Sequence, residues 1–114
     1  MAGVVHPRPI KLMPDYGCFP LWWDSTHPAW AHWGRPLGDI DPASLGISAA
    51  LAADLLAWAE AFDAALNWDD PAAAPLATPE ELRAFDAQAP ILAARLAAEL
   101  GETAVIRCAW PRAA

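Results

Sequence analysis

The sequence predicts a small single-domain α+β fold, in which two helices pack on a short sheet of two or three strands. Two segments with the apolar spacing of amphipathic helices occupy residues 49–66 and 79–100. A stretch rich in β-branched residues follows them at 103–110, and a short alternating stretch precedes them at 7–13. One domain is expected, because 114 residues, 56% of them hydrophobic, match the common domain size of about 100–150 residues. The predicted order is therefore β-α-α-β, with a long aromatic loop as a third wall of the core.

The two predicted strands lie near the ends of the chain. In the first, over residues 7–13, Ile10 and Leu12 share one face. The second covers residues 103–110 and ends before a proline, which cannot donate to a strand ladder. We expect these strands to pair, since nothing else in the chain offers an equally good partner. A third short strand is compatible with residues 19–23.

The first predicted helix begins after Ser48, whose hydroxyl can accept from a free amide of the opening turn. It ends before residues 67–71, where Asn, Asp and Pro cluster. Residues spaced by three or four positions form one apolar stripe, which packs on the core. The stripe consists of Leu51, Leu55, Trp58, Phe62 and Leu66.

The second predicted helix begins with a strong signal, in which Thr78 is the cap, Pro79 comes first and Glu81 completes a capping box. Pro90 lies inside the helical pattern and is expected to kink or divide it near residues 88–89. Gly101 is expected to end the helix by adopting the left-handed αL conformation. The apolar stripe consists of Leu82, Phe85, Ala89, Leu92, Leu96 and Leu100.

Composition excludes several classes of protein. The net charge is −7 and the seven Lys and Arg residues are scattered, whereas a nucleic-acid binder needs a cationic footprint. No apolar run reaches the roughly 18 residues of a membrane span, and the first residues lack the pattern of a signal peptide, which favours the cytoplasm. An acidic surface suits a basic protein partner. Cys18 and Cys108 are expected to be buried free thiols.

Candidate chemistry is sparse. His27 and His32, with Asp24 nearby, are compatible with a metal or acid–base cluster, or with polar surface residues. The acid pairs at 39–41 and 69–70 are compatible with Mg²⁺ binding, or with backbone caps and turns. Asp15 and Cys18 each have two interpretations. Asp15 either satisfies amides of the loop or belongs to a functional site, and Cys18 is either an inert thiol or a nucleophile. No zinc spacing and no glycine-rich phosphate loop is present, so we predict neither a metal nor a cofactor.

Three short motifs give the chain a recognisable order. They are Pro14-Asp-Tyr-Gly-Cys-Phe-Pro-Leu-Trp22, Gly38-Asp-Ile-Asp-Pro42 and Leu66-Asn-Trp-Asp-Asp-Pro71. This order resembles that of a set of small bacterial proteins of largely unassigned function, which also end in a helix and a strand. The resemblance covers residues 10–107 and implies no catalytic residue. The chain departs from the pattern in a longer tryptophan-rich stretch at 23–35, the part expected to distinguish its partner.

Tryptophans dominate the irregular segments: five of the seven lie there, although an exposed ring forgoes roughly 1.5–3 kcal/mol of burial free energy. We expect Trp22 to pack on the helices as a wall, and Trp23, Trp30 and Trp33 to meet a partner. The leading hypothesis is a cytoplasmic protein-binding module, for instance an immunity or antitoxin-type inhibitor of a basic toxin, and more an interaction protein than an enzyme. The expected partner-binding residues are Trp23, Asp24, Trp30, Trp33, Asp69 and Asp70.

Two other hypotheses remain open at this stage. The first is a small enzyme or ligand-binding protein with a pocket under the aromatic loop. The residues that would line this pocket are Asp15, Tyr16, Cys18, Trp22, His27 and His32. The second is an accessory subunit of a biosynthetic operon, without chemistry of its own.

Overall fold

A mixed four-stranded sheet carries two helices on one face in the computed structural model, which describes residues 6–111. The strands are β1 (Arg8–Leu12), β2 (Leu21–Trp23), β3 (Asp39–Ile40) and β4 (Ala104–Cys108), and the helices are α1 (Ala49–Ala65) and α2 (Pro79–Leu100). Short 3-10 helices occupy Pro28–Trp33, Pro42–Leu45 and Gly101–Thr103. The predicted α+β class is confirmed. The sheet has one strand more than the two or three expected. The additional strand is β3, and it was not expected because the acid pair at 39–41 indicated a turn in this segment.

The strand order is β3-β2-β1-β4, so β1 is central. β1 and β2 form an antiparallel pair, whereas β1 and β4 are parallel because the chain crosses the sheet through both helices between them. The register sets Ile10 opposite both Trp23 and Ile106. Side chains of this face meet the helices in one core, in which Leu12, Leu51 and other apolar residues are fully buried. The predicted pairing of the two terminal strands is confirmed.

The register corrects the expectation for Trp22. Successive side chains of a strand point to opposite faces, and Trp22 is paired with Lys11, on the face away from the helices. Its indole nitrogen donates to the carbonyl of Met13 at 2.9 Å. The neighbouring Trp23 is paired with Ile10 instead and packs against the core. Trp23, and not Trp22, is therefore the side chain that adds to the wall of the core.

The helix caps form as expected. The Ser48 hydroxyl accepts from the amide of Leu51, and Thr78 and Glu81 form a reciprocal capping box. Pro90 does not divide α2, which is one continuous helix. Gly101 has φ 56° but ψ −135°, which lies outside the αL region, so the expected αL conformation at the end of α2 is wrong. The chain instead continues through a 3-10 segment into β4. Neither described helix is long and apolar enough to cross a membrane.

Candidate functional site

The loop between β1 and β2 is held in place by three carboxylates. Asp63, on α1, accepts from the amide of Gly17 at 3.0 Å, and Asp39, on β3, accepts from the amide of Phe19 at 2.8 Å. Asp15 accepts from the amide that follows it at 2.8 Å. Since polar groups of the backbone require partners, these bonds give an irregular loop one defined conformation. The loop therefore lies against the end of α1, where β1 also ends.

An aromatic corner covers this loop. The ring of Tyr16 stacks on Phe62 with centroids 4.4 Å apart, and meets Trp68 edge to face at 5.7 Å. The indole nitrogen of Trp68 donates to the carbonyl of Asp63 at 3.0 Å. The two outer rings nevertheless remain accessible, with Tyr16 42% and Trp68 60% exposed. Aromatic side chains that are both fixed and exposed are typical of interface anchors.

Acidic side chains surround the two exposed rings. Asp69 and Asp70 follow Trp68, and their amides both donate to Asn67 Oδ1 at 3.1 Å, which fixes the turn that presents them. Both residues are exposed, as is Asp15 beside Tyr16. We call this surface the acidic patch; its members are Asp15, Tyr16, Trp68, Asp69 and Asp70.

The acidic patch combines residues of the first and third sequence motifs, and the first motif also contacts the second. The first motif contacts the second through the bond from Phe19 to Asp39, and contacts the third through Tyr16 and Trp68. Motifs separated by tens of residues thus meet on one surface of the fold.

The surroundings of Cys18 make it a poor nucleophile. Burial raises the pKa of the Cys18 thiol, and the carboxylates of Asp39, Asp15 and Asp63 raise it further because negative charge disfavours the thiolate. The thiol lies 3.5 Å from the carbonyl of Tyr16. Cys18 and Cys108 are free, as expected, but neither is buried: Cys18 is half-buried and Cys108 is exposed near the end of an edge strand.

A second group of aromatic residues lies at the other end of β1. The guanidinium carbon of Arg8 lies 5.1 Å from the ring centroid of Trp33 and 5.9 Å from that of Trp23. The two indole rings are 5.8 Å apart, and the Trp33 nitrogen donates to the carbonyl of Pro7 at 3.2 Å. We call Arg8, Trp23 and Trp33 the tryptophan cluster. Cation–π contact with Arg8 gives these rings a partner within the chain.

The remaining residues of the tryptophan-rich stretch have structural contacts. Trp30 is half-buried and donates from its indole nitrogen to the carbonyl of Pro36 at 2.8 Å. His27 caps the 3-10 helix by accepting from the amide of Ala29, and His32 stacks on His6 at 3.6 Å. These contacts agree with the structural interpretation of the histidines.

The six residues proposed to line a pocket are not brought together. Asp15, Tyr16 and Cys18 belong to the loop that follows β1, whereas His27 and His32 lie beyond the far end of β2. At about 3.3 Å per residue, the five residues of β1 place these groups roughly 16 Å apart along the strand. The expected partner-binding residues divide in the same way, since Asp69 and Asp70 lie in the acidic patch and the tryptophans at the other end.

Asp24 lies inside the molecule. It is only 4% exposed, and its carboxylate accepts two bonds from Arg107, at 2.8 and 3.1 Å. Thr26 donates to it through both its amide and its hydroxyl. The carboxylate is thus occupied within the chain, and we leave it out of the candidate contact surface.

Sequence reasoning missed a cavity of about 280 Å³ between α1, α2 and the loop that joins them. Tyr16 of the acidic patch, Phe62, Phe85, Asp86 and Trp110 are among the residues that line it. Helical spacing marked Phe62 and Phe85 as core residues, and no local signal indicated that Trp110 and Asp86 would meet beside them. Within residues 6–111, no three His, Cys, Asp or Glu side chains are grouped so as to hold a metal ion.

Comparison with known protein families gives a match over most of the chain. The model of a family described as Serratia CdiI immunity protein-like matches residues 8–108, which include the sheet, both helices and the acidic patch. No curated protein matches the chain.

Proposed function

The chain belongs to the Serratia CdiI immunity protein-like family, and we propose that it inhibits a toxin protein by binding it through the acidic patch. The family agrees with the immunity-type inhibitor expected from the sequence. The single observation that supports the choice of surface is the pair of fixed, exposed rings, Tyr16 and Trp68, set among exposed carboxylates. Fixed aromatic residues bind at low entropic cost and often supply most of an interface's energy.

Charge favours this surface over the tryptophan cluster. The patch contains Asp15, Asp69 and Asp70, and a chain of net charge −7 attracts cationic partners. The tryptophan cluster instead contains Arg8, and its rings already contact that cation. We therefore propose that the toxin surface is basic. We propose that the protein acts in the cytoplasm, where the free thiols of Cys18 and Cys108 would stay reduced.

The test is the affinity of purified variants for the toxin that the wild-type chain neutralises, sought first among the products of the neighbouring genes. Trp68→Ala removes an exposed ring without opening the core, and we expect it to raise Kd at least about tenfold, the effect of a typical anchor residue. Leu37→Ala is the matched control: Leu37 is 85% exposed and lies two residues before β3, towards the tryptophan cluster. We expect its Kd to stay within about twofold of the wild-type value.

Growth of cells that express the toxin gives the same test in vivo. The wild-type chain and Leu37→Ala should protect these cells, and Trp68→Ala should protect them less. The proposal is overturned if Trp68→Ala binds as tightly as the wild-type chain while Trp33→Ala loses affinity, because the interface then lies at the tryptophan cluster.

A further inference from the structure

The cavity beside the acidic patch has walls of aromatic rings. Phe85 stacks in parallel on the buried Trp58, with centroids 4.6 Å apart and 6° between the planes. Trp110 stands edge-on to both Phe62 and Phe85, at 5.7 and 6.0 Å. This packing fixes the rings around the cavity, and Tyr16 connects its lining to the acidic patch. A partner bound at the patch is thus adjacent to the cavity.

One carboxylate in the lining is held in a defined orientation. Asp86 Oδ1 accepts from the indole nitrogen of Trp110 at 2.8 Å. An ionised carboxylate has about four acceptor sites, so this one bond leaves it able to accept others. Glu81, a second acid of the lining, is engaged in the capping box with Thr78. The cavity therefore combines apolar walls, aromatic rings and a negative charge.

The volume and the charge together indicate the occupant. At about 280 Å³ the cavity lies just below the roughly 300–1,000 Å³ of small-molecule sites, which favours a single side chain over a cofactor. An apolar side chain would leave the Asp86 carboxylate without a cationic partner, and with Trp110 as its hydrogen-bond donor. Arginine has an apolar stem for the walls, a planar cation that stacks on rings, and donors that match a carboxylate.

We propose that the cavity receives one arginine side chain of the toxin, with its guanidinium group bound to Asp86. This inference rests on the proposed function, since the arginine belongs to the protein that binds the acidic patch. The pocket would then be a specificity site: toxins without a cation at this point would leave the charge of Asp86 uncompensated on binding.

Asp86→Asn tests the charge. The asparagine oxygen can still accept from Trp110, so the change removes the charge and conserves the shape. We expect the Kd for the toxin to rise at least about tenfold, in line with the loss of a charged interface pair. Glu102→Gln, an exposed acid at the far end of α2, is the control and should change Kd less than about twofold.

A double-mutant cycle identifies the partner residue. Each arginine of the toxin is changed to glutamine and measured against the wild-type chain and against Asp86→Asn. Changing one particular arginine should weaken binding to the wild-type chain. The same change should not weaken binding to Asp86→Asn any further, which is the signature of a direct pair.

Filling the cavity tests its use without touching the charge. Ala73 is exposed and belongs to the lining, whereas Ala74 is exposed and does not. Ala73→Phe should weaken toxin binding at least about tenfold, and Ala74→Phe by no more than about threefold. Thermal unfolding of each variant verifies that it folds.

The outcomes separate the two proposals. If Asp86→Asn and Ala73→Phe bind as the wild-type chain does while Trp68→Ala does not, the arginine pocket is wrong and the proposed function stands. If all three variants bind normally, both proposals are wrong. If Ala73→Phe weakens binding but Asp86→Asn does not, the cavity holds an apolar side chain and the assignment of arginine is overturned.

Discussion

At the scale of single residues, the pair of Asp24 and Arg107 joins the segment after β2 to the edge strand β4. The two residues are 83 positions apart, and the carboxylate is buried while the Arg107 side chain is 46% exposed. Hydrogen bonds from Arg107 hold the pKa of Asp24 well below its usual range, and hydrogen bonds from Thr26 lower it further. Burial of the carboxylate raises the pKa, but by less than these bonds lower it. Asp24 therefore stabilises the fold only in its charged form.

The pH dependence of stability follows from this pair. A carboxylate whose pKa is lower in the folded state contributes stability above the unfolded pKa of about 3.9, and loses it as the pH falls towards the folded value. Asp24→Asn should lower the free energy of unfolding at pH 7 by about 1–2 kcal/mol, because solvent at Arg107 screens part of the interaction. Urea denaturation between pH 7 and pH 2 should show the two proteins converging in acid.

The exposed pair of Asp54 and Arg95 is the control for this experiment. Their separation is 2.7 Å, similar to that of Asp24 and Arg107, but the carboxylate of Asp54 is 55% exposed whereas that of Asp24 is buried. Asp54→Asn should cost less than about 1 kcal/mol. A difference between Asp24→Asn and the wild-type chain that stays constant from pH 7 to pH 2 would contradict the assignment of stability to the charged carboxylate.

At the scale of elements, α2 contains a proline in its middle. Pro90 has no amide hydrogen, so the carbonyl of Asp86 four residues earlier lacks its usual helical bond. The position is exposed, and packing of the opposite face, with Ala89, Leu92 and Leu96, keeps the helix continuous. Tertiary burial thus outweighs a local preference to end the helix.

Replacing this proline should stabilise the protein. Pro90→Ala restores the amide and removes the steric conflict, so we expect the free energy of unfolding to rise by about 1–3 kcal/mol, near the helix-propensity difference of roughly 3 kcal/mol. Ala94→Gly, at another exposed position of α2, is the control and should lower it by about 1 kcal/mol. Urea denaturation measures both; a Pro90→Ala protein less stable than the wild-type chain would indicate that the helix is bent to fit its neighbours.

The helices and strands also differ in how far they can be predicted from the sequence. Both helices follow from local signals, namely the spacing of apolar residues and the caps at Ser48 and Thr78. The faces of β2 do not, because three residues are too few to reveal an alternation, and Trp22, expected to pack on the helices, lies on the other face of the sheet. The two-residue β3 has no local pattern either and exists through its pairing with β2.

The candidate site was predicted in part. The sequence pointed to Asp69 and Asp70 as partner-binding residues and to Asp15 and Tyr16 as lining of a separate pocket, and the contact of Tyr16 with Trp68 connects the two sets. The bond between Gly17 and Asp63 spans 46 residues, and the bond between Trp110 and Asp86 spans 24. Contacts of this kind depend on how the helices lie on the sheet, so sequence periodicity alone does not reveal them.

At the scale of the whole molecule, the two ends of β1 differ in charge. The acidic patch and the cavity lie where β1 and β4 end, and the tryptophan cluster with Arg8 lies where β1 begins. A charge distribution of this kind orients the molecule in the field of a cationic partner before contact. The patch should therefore affect the rate of association more than the rate of dissociation.

Association kinetics at varied salt test this orientation. The double variant Asp69→Asn, Asp70→Asn removes two charges from the patch, and we expect the association rate constant for the toxin to fall about 3–10-fold at low ionic strength. The dependence on salt should also flatten, since fewer charges remain to be screened. The pair Asp54→Asn, Glu102→Gln removes the same charge from surfaces outside the patch, and should leave the rate within about twofold. Equal losses in the two double variants would mean that net charge alone, and not its position at the patch, attracts the toxin.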